Sequence, residues 1–188
     1  YNFTKTSLGI MAYGCCATLL PVQLDEKMIY GCSLKYNLKA VYYDESIESK
    51  ITFAKNALPN VKFIKIVDFV SLYGTNNYNT NIDTNSPACI VMTGGTTGRS
   101  KGAVLSHKAL MTGVLNGTYG LANVFNQVYY SIMPLTHVFG FIRNLLTCFY
   151  TGSSIYFAGD KMAMFKEIAK VQPTILVVVP ALAEIFLN

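Results

Sequence analysis

Apolar positions along the chain switch between a helical and a strand period, and the switches predict its elements in order. Leu8, Met11, Ala12 and Cys15 recur at helical spacing before the apolar run Ala17 to Val22, which reads as a strand. Asp25 and Glu26 place negative charge at the start of a helix reaching about Tyr36, and Lys39 to Tyr43 has the β-branched and aromatic make-up of a strand. Ile47, Ile51, Ala54 and Leu58 then hold one helical face, which Pro59 ends before a strand from Val61 to Val67. Ser71 to Ser86, rich in Asn, Thr, Tyr and Gly, reads as an exposed connector into a short apolar strand, Cys89 to Met92.

Downstream, Ser106 is the expected N-cap of a helix whose stripe includes Leu110, Val114 and Leu121. Val128 to Met133 reads as a buried strand, and Phe139 to Tyr150 is apolar almost all round. Ser153 to Phe157 reads as a strand, Met162, Phe165 and Ala169 as one helical face ending before Pro173, and Thr174 to Val179 as the last strand. Strands alternating with helices, several apolar on successive residues, predict an α/β fold: a layered, mainly parallel sheet flanked by helices.

A chain of 188 residues suits one sizeable core, so a single α/β subdomain over 1–188 is expected. The chain opens on a tyrosine and runs into helical sequence at Asn188, which reads as a piece of a longer protein whose remainder is a missing partner. Its 52% hydrophobic and 13% charged residues, with mean hydropathy +0.34, predict apolar surface that faces something else. The net charge of +5 is spread without a run of Lys or Arg, which argues against a nucleic-acid partner. The longest apolar stretches, such as Thr174 to Leu187, fall short of the ~20 residues of a membrane span. Five cysteines with no C-x-x-C spacing suit reduced thiols and a cytoplasmic location, and no metal site is expected within the chain.

The densest chemistry lies between Ile90 and His107, IVMTGGTTGRSKGAVLSH. Gly94, Gly95 and Gly98 let backbone N–H groups approach an anion, Thr93, Thr96 and Thr97 add hydroxyl donors, and Arg99 and Lys101 add positive charge. Together with Ser100 these residues make a candidate polyphosphate cradle between a strand and a helix. The phosphate loop of nucleotide hydrolases needs G-x-x-x-x-G-K-[ST], and no register here supplies it, because Lys101 is followed by Gly102. His107, in the first turn of the following helix, is assigned no role.

The segment Met92-Thr93-Gly94-Gly95-Thr96-Thr97-Gly98-Arg99-Ser100-Lys101-Gly102 resembles the signature of the adenylate-forming superfamily, [YT]-[TS]-S-G-T-T-G-x-P-K-G. Gly94 stands where the family has serine, and Ser100 where it has proline. Pro134-Leu135-Thr136-His137-Val138-Phe139-Gly140 resembles the P-L-x-H-x-x-G segment that acyl- and aryl-CoA synthetases carry downstream of the loop. Gln172 to Pro180, QPTILVVVP, resembles the family's [KR]-P-T-x-x-x-x-V-P strand, and Leu20-Pro21-Val22 and Asp44-Glu45 are weaker upstream matches.

The resemblance implies part of the N-terminal region of an adenylate-forming enzyme, closest to long-chain fatty acyl-CoA synthetases. It implies ATP at residues 93–101, His137 beside the carboxylic-acid substrate, coenzyme A as acyl acceptor, and Mg²⁺ in the parent enzyme. The family's aromatic-Gly-x-Thr-Glu and T-G-D segments and its C-terminal lysine are not in this sequence, so the catalytic set is incomplete and this chain alone is expected to be inactive. The alternatives are a non-catalytic nucleotide-binding or interaction module, and an adenylation domain loading an aryl or amino acid onto a carrier protein.

Overall fold

The computed structural model describes residues 2–66, 81–93, 101–119, 121, 123–159 and 163–187. By backbone contacts the chain forms two compact units, Tyr1–Ile82 and Asp83–Asn188.

The first unit runs α1 (Asn2–Ala12), β1 (Ala17–Leu19), α2 (Glu26–Lys35), β2 (Ala40–Tyr43), a 3₁₀ turn (Glu45–Ile47), α3 (Glu48–Ala57) and β3 (Lys62–Lys65). Asp25, read from the sequence as negative charge at the helix start, also caps α2 by accepting the Met28 N–H at 2.8 Å. Asp44 does the same for Ser46 at 3.0 Å, so the strand β2 turns directly into the helical crossover. That crossover brings β3 alongside β2 in parallel, Val41 facing Phe63. Ile29, Tyr43, Ile51 and Ala54 form the buried core beneath, so the α3 face expected through Ile51 and Ala54 is the one buried. In α1 the buried residues are Thr4, Ser7 and Met11, whereas Ala12 and Cys15 are exposed. Short polar side chains took the inward positions there, which apolar periodicity does not register.

The second unit begins with β4 (Pro87–Thr93), whose Ala88, Cys89, Val91 and Met92 are all buried, as a strand covered on both faces requires. Its partner is a correction to the expected strand-to-helix turn. Lys101–Ser106 is a further strand, β5, which returns antiparallel along β4 before α4 (His107–Thr118) begins. Lys101 to Ser106 carries little apolar period of its own, and its ladder is supplied by β4 across the chain. Ser106 does cap α4, accepting the Ala109 N–H at 3.1 Å. Leu110 and Val114 are buried as expected, but the stripe ends on Gly117, since Leu121 lies beyond the helix and is exposed.

A second sheet has the order β7-β6-β8, all parallel: β6 (Val128–Ser131) lies between β7 (Ser154–Phe157) and β8 (Ile175–Leu176). A π-helical segment (Gly140–Leu146) and α5 (Thr147–Tyr150) join β6 to β7, α6 (Met164–Val171) joins β7 to β8, and α7 (Pro180–Leu187) follows. β8 is shorter than the expected Thr174 to Val179: the Thr174 hydroxyl takes the Val128 N–H at 2.9 Å at its start, and the pairing with β6 ends at Leu176. Tyr129, Tyr130 and Ser131 are buried in succession, so β6 is covered on both faces.

The buried face of α6 also differs from the expected one. Phe165 and Ala169 are exposed, Met162 lies outside the described residues, and Met164, Glu167, Ile168 and Val171 turn inward. The reason is a polar pair: the Tyr130 hydroxyl donates to the Glu167 Oε2 at 2.6 Å, so a carboxylate occupies the inward phase. Burial first, and that bond second, push the Tyr130 phenol above its ordinary pKa.

Candidate functional site

Two stretches carry the candidate chemistry, and each is held by short-range geometry. The first is the mouth of the β4–β5 hairpin. Thr93 and Lys101 are its last paired residues, and the Thr93 hydroxyl donates to the Lys101 carbonyl at 2.9 Å. Paired strand residues sit about 4.5–5.5 Å apart, so Thr93 and Lys101, the residues flanking 94–100, lie side by side. Thr93 and Lys101 are exposed, which leaves the ammonium of Lys101 in solvent at the hairpin's open end. Gly94, Gly95, Thr96, Thr97, Gly98, Arg99 and Ser100 lie outside the described residues.

The second stretch is the turn from β6 into the π-helical segment. Pro134 is its hub: its carbonyl accepts the His137 N–H at 3.1 Å, and a Cβ on Gly140 would stand 2.4 Å from the same oxygen. Only glycine fits there, which gives the last residue of P-L-T-H-V-F-G a steric reason. The His137 carbonyl accepts the Phe141 N–H at 2.8 Å, starting the helix. The imidazole itself is exposed, where a bound small molecule can reach it.

Helical bonding then loosens, with the Thr147 N–H reaching the Ile142 carbonyl five residues back. Asn144 sits inside this segment with no exposure, and its Nδ2 donates to the Ser131 hydroxyl at 3.1 Å. Sequence reasoning missed Asn144, although an asparagine beside Arg143 in the mostly apolar run from Phe139 to Tyr150 was the available signal. It also missed β5, for which no strong periodic signal existed.

The cysteines are all free thiols. Burial pushes Cys148 up to about 11, and its thiol donates to the Ser153 carbonyl at 3.1 Å, so it is a core residue and no nucleophile. Among the described residues no group of three or more His, Cys, Asp or Glu is arranged to hold a metal ion. No helix among them is long and apolar enough to cross a membrane.

Residues 3–188 match the family model described as AMP-binding enzyme. The chain belongs to the AMP-binding enzyme family. Among curated AMP-binding relatives, long-chain-fatty-acid–CoA ligase 1 of Saccharomyces cerevisiae is 31% identical over 156 residues, covering 74% of this chain and 22% of that protein. Long chain acyl-CoA synthetase 6, peroxisomal, of Arabidopsis thaliana is 28% identical over 130 residues, covering 67% of this chain and 18% of that protein. The chain therefore spans about a fifth of the length of these relatives.

Solved structures place the AMP-binding fold across nearly the whole chain. The o-succinylbenzoate CoA synthetase of Bacillus subtilis, in complex with its acyl-adenylate intermediate, matches with a TM-score of 0.81 at 16% identity, over 99% of this chain and 48% of that one. A red-emitting luciferase of Phrixothrix hirtus matches with a TM-score of 0.80 at 19% identity, over 96% of this chain and 39% of that one. The α/β fold expected from the sequence is thus the fold of adenylate-forming enzymes.

Proposed function

We propose that the intact protein is an ATP-dependent acid–thiol ligase that activates a carboxylic acid, a fatty acid first and an aryl acid second, and passes it to coenzyme A. The observation that carries this reading is the family match over residues 3–188, together with relatives named as long-chain fatty acid ligases. In the reaction a carboxylate oxygen bonds to the α-phosphorus of ATP while the bond to the β-phosphate oxygen breaks and pyrophosphate leaves. A thiolate sulfur then bonds to the acyl carbon and AMP departs.

The share of this chain is positioning and charge. The hairpin mouth closed by Thr93 and Lys101 supports a loop whose amides, with the hydroxyls of Thr96, Thr97 and Ser100, hold the β- and γ-phosphates. The cations of Arg99 and Lys101 offset the charge that builds on the departing pyrophosphate. His137 borders the acid, where its exposed ring donates to a carboxylate oxygen or lies along the acyl chain. By the family resemblance Mg²⁺ would be held at an aromatic-Gly-x-Thr-Glu segment, a motif that does not occur in residues 1–188. Five free cysteines support a reducing location such as the cytoplasm.

ATP–pyrophosphate exchange by the intact protein, run against a panel of saturated fatty acids and benzoate-type acids, tests the reading. Saturable, acid-dependent exchange strongest with long alkyl chains is the expected result. No acid-dependent exchange with any member would sink it, and residues 1–188 alone are expected to show none.

A further inference from the structure

Asn144 is fully buried and, among the described residues, makes one side-chain bond, from Nδ2 to the Ser131 hydroxyl at 3.1 Å, while its Oδ1 has no partner there. Turning the amide over exchanges which arm is satisfied and leaves the other without one. A buried amide satisfied on one arm costs more than one neutral hydrogen bond returns, so a leucine of similar volume would serve the core better. Asn144 also lies where the helix has loosened to π spacing, a second local cost in the same few residues. Costs of this kind persist where the surrounding structure needs one particular arrangement.

The arrangement at stake is visible in the chain path. Ser131 is the last residue of β6, held at its own carbonyl by the Ala158 N–H at 3.1 Å. The chain then leaves the sheet, makes the Pro134-centred turn that carries His137, and re-enters as the π-helical segment containing Asn144. Ser131 and Asn144 are the two feet of that excursion, and their bond ties one foot to the other. Inside it, the Pro134 carbonyl bonds His137 N–H and meets Gly140 closely, so the excursion is a compact unit with one tie at its base.

We propose that Asn144 is a positioning residue for the acid-binding side of the site: its bond to Ser131 fixes the turn that presents His137. The proposal rests on the ligase reading. It predicts that the tie is worth more to substrate binding than to folding.

The test uses the intact protein with Asn144→Leu and, in case that variant fails to fold, Ser131→Ala, which removes a single hydroxyl. Asn144→Leu is expected to keep the wild-type melting temperature within a few degrees or exceed it, whereas Ser131→Ala, which strands the buried amide with neither arm bonded, is expected to lower it by a few degrees. Amide hydrogen exchange at residues 135–141 should quicken about tenfold while α4 stays protected. In ATP–pyrophosphate exchange, KM for the acid should rise about tenfold and KM for ATP stay within about twofold. The double variant should be no worse than either single one, since both remove the same bond.

Unchanged exchange at 135–141 with an unchanged acid KM overturns the proposal. So does an equal loss of acid and ATP binding that tracks the folded fraction, the mark of a merely structural residue. If wild-type protein shows no acid-dependent exchange, the ligase reading fails and the acid-side role with it, whereas active wild type with indifferent variants removes the tie alone.

Discussion

The Thr93 hydroxyl and the Lys101 carbonyl meet at 2.9 Å at the last pair of the β4–β5 ladder, so a side-chain contact reinforces the pairing of the two residues that flank 94–100. Lys101→Ala removes an exposed ammonium and should leave stability within about 0.5 kcal/mol. It should nevertheless slow ATP–pyrophosphate exchange by about tenfold or more, which is ~1.4 kcal/mol of transition-state stabilisation. Exchange at the wild-type rate would remove Lys101 from the phosphate site.

Thr93→Val keeps the shape and loses the hydroxyl, so the hairpin mouth should open. A stability loss of about 1 kcal/mol is expected in urea denaturation, accompanied by weaker binding of nucleotide. A variant equal to wild type in both measurements would mean the contact does not organise the loop.

Gly140→Ala sets a methyl 2.4 Å from the Pro134 carbonyl oxygen, and backbone cannot swing aside as a side chain can. The turn that carries His137 must deform, at a cost of about 2 kcal/mol or more. Gly117→Ala is the control. Its methyl meets the guanidinium of Arg143, the far end of a flexible side chain, while the substitution gains up to about 1 kcal/mol of helix propensity near the end of α4. Parallel urea titrations should place Gly140→Ala well below wild type and Gly117→Ala within about 1 kcal/mol of it.

Cys148 is held protonated by burial, up to about 11 from an ordinary 9.0. Between these values the unfolded chain has lost the proton while the folded chain keeps it, so stability falls as pH rises from 9 toward 11. Cys148→Ala should make that decline shallower in thermal melts across the window, leaving the thiols Cys16 and Cys32, also raised by burial, to act above pH 9 and the phenols Tyr129 and Tyr130 above pH 10. Identical slopes for variant and wild type would contradict the assignment.

Much of the fold was legible along the chain because its cause is local. Ile51 and Ala54 sit one turn apart and were buried as their spacing predicts, Asp25 and Ser106 cap the helices they precede, and Cys89 to Met92 is the doubly covered strand its composition implies. The candidate site was legible through its motifs for the same reason: glycines, hydroxyls and cations in one short run, and a histidine in a proline-to-glycine turn, each state their chemistry without reference to distant residues.

What the amino-acid order determined alone was the sequence of helices and strands apart from β5, the two chemical segments and the family they resemble. Tertiary structure decided the rest. β5 exists because β4 offers it a ladder, α6 turns Glu167 inward because the Tyr130 phenol on another strand satisfies it, and Asn144 matters because Ser131 lies opposite. Each of these depends on a partner in a different element, and periodicity records only which positions prefer to leave water, never which polar group will be waiting when they do.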